Sequence, residues 1–113
     1  MKKNFFVILF ALIFAGFISA QELPSVTIVN NTGYTIYYMY VSPSSDDNWG
    51  SDCLGDAVLY DGSSFKVKLP YRLNQENCYD IKLVDEDDDE YIKMNVVLHR
   101  QYSTIEFTFD DID

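Results

Sequence analysis

The sequence has 113 residues, 48% of them hydrophobic, and carries 18 acidic against 8 basic side chains for a net charge of −10. That length sustains one hydrophobic core and excludes a second domain of ordinary size. The charge excludes nucleic acid and anionic membrane surfaces as partners, because a phosphate field repels it, and leaves cations and basic protein patches.

Residues 1–20 read as an export signal. Lys2 and Lys3 open it, 5–18 is an almost unbroken apolar run, and Ser19-Ala20 supplies small side chains before a cleavage point at Gln21. The apolar run falls short of the roughly 20 residues a helix needs to cross a bilayer, so cleavage is expected and stable membrane insertion is not. The expected product is one domain, residues 21–113, delivered to the periplasm or secreted. No cysteine stands at the cleavage point to take a lipid, and the exported part keeps six basic residues against all eighteen acids.

Strand signals follow. Residues 26–29 form a first strand ended by Asn30-Asn31-Thr32-Gly33, a turn in which Asn and Gly tolerate positive φ. Residues 34–41 form a second, dense in aromatic and β-branched side chains, and the two are expected to pair as a hairpin. Simple alternation puts Ile36, Tyr38 and Tyr40 on one face and Tyr37, Met39 and Val41 on the other. Residues 42–56, rich in Ser, Asp and Gly, break the pattern as a long loop holding Trp49, the sole tryptophan, and Cys53. A loop of this length in a small domain points to function or flexibility.

Residues 58–60 form a short strand and 61–64 a turn. Phe65, Val67 and Leu69 then alternate with Lys66 and Lys68 until Pro70 ends the strand. After a connection over 71–77, residues 78–98 read as a hairpin with two alternating arms. Its tip, Asp85 to Glu90, is six consecutive acids, which must be solvated. His99-Arg100-Gln101 makes a turn, and 102–109 closes the domain with Ile105, Phe107 and Phe109 inward, leaving 110–113 as a frayed acidic tail. The fold class is therefore all-β, a single two-sheet antiparallel β-sandwich of about seven short strands.

Cys53 and Cys78 are the two cysteines, and export places them where disulfides persist. A bond between them would close a loop of about 25 residues and stabilise the fold by roughly 3 kcal/mol.

The segments NNTGYTI (30–36), YVSPS (40–44), NWGSDCLGD (48–56), CYDIK (78–82) and VDED (84–87) together resemble a family of small, largely uncharacterised exported bacterial domains. The likeness spans nearly the whole of residues 21–113. It implies one β-sandwich domain and brings no activity and no catalytic residue with it.

Two sites carry chemistry. In the acidic tip, Asp85, Asp87 and Asp89 share the alternation that opens an EF-hand calcium loop. The rest of that motif is missing, since Glu90 occupies the glycine position and Val96 the bidentate glutamate position. A looser calcium site would gather these three with Asp46, Asp47, Asp52 or Asp56 from the long loop, the cation relieving their mutual repulsion. In the long loop itself, Trp49 either lids one end of the core or forms an aromatic platform beside polar groups, the chemistry of carbohydrate or peptide binding. Tyr37 with Met39, if exposed, would add an apolar patch of the kind that marks partner surfaces.

No motif for a catalytic nucleophile, a phosphate loop or a cofactor is present, and His99 is a lone histidine at a turn. The expectation is a non-catalytic, envelope-associated or secreted domain that binds a protein or a cell-surface polymer through residues 42–56. Calcium binding by the acidic loops is the alternative.

Overall fold

The computed structural model describes residues 22–113, so the segment 1–20 expected to be an export signal lies outside the described residues. Six strands make two sheets of three. β1 (Ser25–Asn31), β3 (Ser64–Lys68) and β6 (Tyr102–Thr108) form one in the order β3-β1-β6, and β2 (Ile36–Pro43), β4 (Cys78–Asp85) and β5 (Glu90–Val97) form the other in the order β2-β4-β5. A 3-10 turn at Phe109–Asp111 is the helical content among the described residues, none of which form a helix long and apolar enough to cross a membrane. Val26, Ile28 and Phe107 of the first sheet join Met39, Ile81, Leu83, Tyr79 and Tyr91 of the second in one core, closed by Leu54, Leu59, Leu69 and Leu98 from the connections. This is the two-sheet β-sandwich that period-two hydrophobicity predicts.

The pairing within it departs from expectation at four points. First, β1 and β2 do not form a hairpin; they belong to different sheets. The corner between them is held by Asn30, fully buried, whose amide donates to the carbonyls of Tyr34 and Leu59 and whose carbonyl accepts from the backbone and hydroxyl of Thr32. Four hydrogen bonds to one side chain satisfy a turn that no ladder could, which is why the strand pair separates here. Second, β6 runs parallel to β1, from Ser25 opposite Tyr102 to Asn31 opposite Thr108, so the sandwich is mixed rather than wholly antiparallel. Third, the expected strand at 58–60 contributes only a bridge between Leu59 and Ile36. Fourth, the tail is not frayed: Ile112 bridges Tyr91, the Asp113 N–H donates to the Glu90 carbonyl at 2.8 Å, and Asp111 pairs with Lys93 at 3.0 Å.

Two β-bulges decide which faces are buried. In β2 the register slips between Ile36, opposite Asp85, and Tyr38, opposite Val84, leaving Tyr37 as the extra residue. A one-residue insertion inverts the alternation beyond it, so Ile36 and Met39 are both fully buried while Tyr37 and Tyr38 are both exposed. The expected Tyr37–Met39 patch therefore does not exist. In β5 the slip falls between the partners of Tyr79 and Ile81, and Asn95 takes φ of 55°, a left-handed conformation that Asn tolerates. Tyr91 consequently points inward in place of Ile92, and Met94 is 56% exposed.

The cysteines are free thiols, not a disulfide. The Cys53 N–H donates to the carbonyl of Met39, whereas the Cys78 carbonyl accepts from the N–H of Ser44. Met39 lies within β2 and Ser44 one residue past its end, five positions on and roughly 16 Å away at the rise of an extended strand, against the 4.4–6.8 Å that a disulfide allows between Cα atoms. Cys53 instead seals the free edge of β2, and burial pushes its thiol pKa up.

Candidate functional site

The acidic tip is built around one of its own carboxylates. Asp85 is only 1% exposed; its Oδ1 accepts the backbone N–H groups of Asp87 (2.9 Å) and Asp89 (3.0 Å), and its Oδ2 accepts the Tyr91 hydroxyl at 2.9 Å. The backbone closes the same turn, with Asp88 at φ of 63°. Burial and the bond to Asp85 raise the Tyr91 pKa strongly, because a tyrosinate facing that carboxylate would be doubly penalised. Asp85 is thus a structural residue as much as a candidate ligand. Oxygens of Asp85, Asp87 and Asp89 do lie within 4.8 Å of one another.

The long-loop acids do not join them. Asp52 Oδ1 accepts the N–H groups of Met39 and Leu54, tying the loop to the edge of β2. Asp46 follows a turn closed on the Pro43 carbonyl, at the end of β2 opposite to the Ile36 end where Asp85 pairs. Those ends are seven residue steps apart along the strand, roughly 23 Å. Asp47 accompanies Asp46, and Asp56 is exposed on the return of the loop. Among the described residues, the three tip acids are the grouping close enough to share a cation.

Trp49 does not lid the core. The Lys82 ammonium lies 4.9 Å from the centre of its ring and 5.0 Å from that of Tyr40, while also pairing with Glu90 at 3.6 Å. Lys82 sits between the inward Ile81 and Leu83, so these contacts fix the indole against the outer face of the second sheet. Beside it opens a recess of about 280 Å³ lined by Ser42, Ser44, Asp46, Asp47, Asn48, Asp80, Met94 and Trp49 itself. Asp80, 7% exposed, accepts the Ser44 hydroxyl and the Asn95 N–H at the bulge through Oδ1, so it shapes the recess and holds β5 to β4.

A second recess of about 400 Å³ opens on the other side of the same turn, lined by Pro43, Ser45, Asp46, Tyr71, Gln75 and Glu76. The Ser45 hydroxyl donates to Glu76 at 3.0 Å. A third, of about 410 Å³, contains His99 and Ser103, but the Ser103 hydroxyl donates to the Arg100 carbonyl rather than to the imidazole.

Asp80, Lys82, Tyr71 and Glu76 were not singled out by sequence. Asp80 and Lys82 alternate with apolar residues and read as ordinary solvent-facing strand positions; only the path of the distant 44–49 segment reveals their partners. Tyr71 and Glu76 lie in a connection without periodicity, so no local pattern marks them.

No family model and no curated protein matches the chain. Among solved structures, the NMR structure of a protein from Eubacterium rectale is similar, with a TM-score of 0.59 at 13% identity over 80% of this chain and 84% of that one. At that identity the likeness is one of fold.

Proposed function

We propose that the chain is an exported, non-catalytic binding domain that engages a protein or cell-surface polymer through residues 42–56 on the outer face of the second sheet. The observation that carries this reading is the recess beside Trp49, where an aromatic ring held in place by Lys82 borders carboxylate, amide and hydroxyl groups. A pre-positioned ring loses little entropy on contact, and convergent polar groups give orientation. Tyr38, 44% exposed, and Met94 extend the apolar surface around it. Calcium binding has less behind it, since Asp85 is already committed to three hydrogen bonds and the long-loop acids stand apart from the tip.

Arrays of glycans and of peptides, probed with the labelled domain, test the reading. Ligands retained by the native chain and by Asp88→Asn at the tip, and lost by Trp49→Ala, support it. Binding that survives Trp49→Ala, or no binding on either array, overturns it.

A further inference from the structure

Ser42 and Asp80 make the floor of the recess beside Trp49, and their chemistry narrows the partner class. We propose that this floor holds the hydroxyl groups of a neutral pyranose ring, so that the polymer the domain binds is an uncharged glycan; this rests on the binding reading above.

The sheet builds the floor. Ser42 and Asp80 stand opposite each other in the β2–β4 ladder, and the neighbours of Asp80 on its strand, Tyr79 and Ile81, are fully buried in the core. Alternation therefore turns Ser42 and Asp80 to the outer face, where strand side chains ordinarily meet water. They are nonetheless only 6% and 7% exposed, and Asp80 is held by the Ser44 hydroxyl from beyond β2 and by the Asn95 N–H from β5.

Each keeps an unused polar atom. Both bonds to Asp80 go to Oδ1, and neither its Oδ2 nor the Ser42 hydroxyl makes a hydrogen bond among the described residues. Neither atom is sealed in, because the Tyr79 hydroxyl is the one enclosed, unbonded side-chain polar atom there. Ser42 and Asp80 both line the recess of about 280 Å³, so the free oxygens open onto it. Groups that have given up most of their water and taken no partner in the fold are the ones a ligand satisfies.

The walls decide the charge of that ligand. Asp46 and Asp47 join Asp80 in the lining, and with a net charge of −10 they repel an anion. The Trp49 ring already carries the Lys82 ammonium 4.9 Å from its centre, which repels a second cation from the same ring. What fits is a neutral group with donors for a carboxylate oxygen, a partner for a hydroxyl, and an apolar side for Trp49 and Met94. A pyranose has all three, since its hydroxyls both donate and accept and its C–H groups form an apolar face. A volume just under the range of drug-sized sites suits one such ring.

The test is calorimetric titration with hexasaccharides of glucose, mannose, galactose and N-acetylglucosamine, beside a capped peptide alternating lysine and glycine. At least one hexasaccharide is expected to bind, and the peptide is not. Asp80→Asn keeps an Oδ1 for Ser44 and Asn95 and exchanges the free acceptor for a donor; it should weaken the sugar about 10- to 100-fold, the scale of a hydrogen bond to a charged group. Ser42→Ala removes a hydroxyl that bonds nothing in the fold and should cost about 3- to 10-fold. Circular dichroism melts should show both variants folded. Raising sodium chloride from about 0.05 to 0.5 M should leave affinity within about 2-fold, because screening acts on charged partners.

Affinities of Asp80→Asn and Ser42→Ala equal to the native chain would overturn the floor as the site. A steep loss with salt, or binding of the lysine peptide in place of every hexasaccharide, would overturn the neutral ligand. If no hexasaccharide binds while an array peptide still depends on Trp49, the sugar inference falls and the binding reading stands. If nothing depends on Trp49, both fall.

Discussion

Replacing Asp85 by alanine separates a structural carboxylate from a metal ligand. The substitution removes the acceptor for three donors at once: the N–H groups of Asp87 and Asp89 and the hydroxyl of fully buried Tyr91. The two N–H groups belong to exposed residues and recover water, so each costs about 0.5–1 kcal/mol net. The Tyr91 hydroxyl is stranded inside and costs about 1–3 kcal/mol. Together the loss is about 2–5 kcal/mol, a large part of the stability of a domain this size. At roughly 4–8 °C per kcal/mol, the midpoint of a thermal melt followed by circular dichroism should drop by about 8 °C or more, with a chelator present throughout. Asp87→Asn and Asp89→Asn remove exposed charges from a crowded tip and should stay within about 0.5 kcal/mol of the native chain. Equal effects at all three positions, seen only when calcium is supplied, would refute the reasoning and make the tip a calcium loop.

Two further outcomes follow from the core and the thiols. Thiol titration of unreduced, denatured protein should find two free thiols per chain, because Cys53 and Cys78 are anchored to Met39 and Ser44, five positions apart; none would mean that the edge of β2 rearranges. Tyr79→Phe should raise stability by about 1 kcal/mol, since it removes a buried hydroxyl that makes no bond. With a folded-state pKa near 12 against the usual 10, neutral Tyr79 contributes stability fully present below about pH 10 and lost as pH rises through 12. Melting points of the native chain should therefore fall across that window, and those of Tyr79→Phe should fall less; identical profiles would contradict the assignment.

The all-β class and most strand positions were legible because apolar residues at period two leave no other way to bury themselves. Residues such as Phe65 and Val67 in β3 show the pattern without interruption. What the pattern could not show was where it breaks. The extra residue at Tyr37 and the left-handed Asn95 each invert the buried face of the strand beyond them, and both depend on cross-strand partners remote in sequence. The same applies to the corner at Asn30, where a turn signal was visible but its change of sheet was not. At the candidate site, the loop and its tryptophan stood out by composition. Their seat on Lys82 and Tyr40 did not, because a strand lysine gives no local sign of the ring that will cover it.

Placement of a partner on the outer face of the second sheet is tested most directly by amide proton–nitrogen NMR spectra recorded while a ligand retained on the arrays is added. The Trp49 indole signal and the amides of residues 44–49 should shift together and saturate, with those of Asp85 to Asp89 unmoved. Shifts confined to the acidic tip, or spread evenly over every exposed acid, would contradict it.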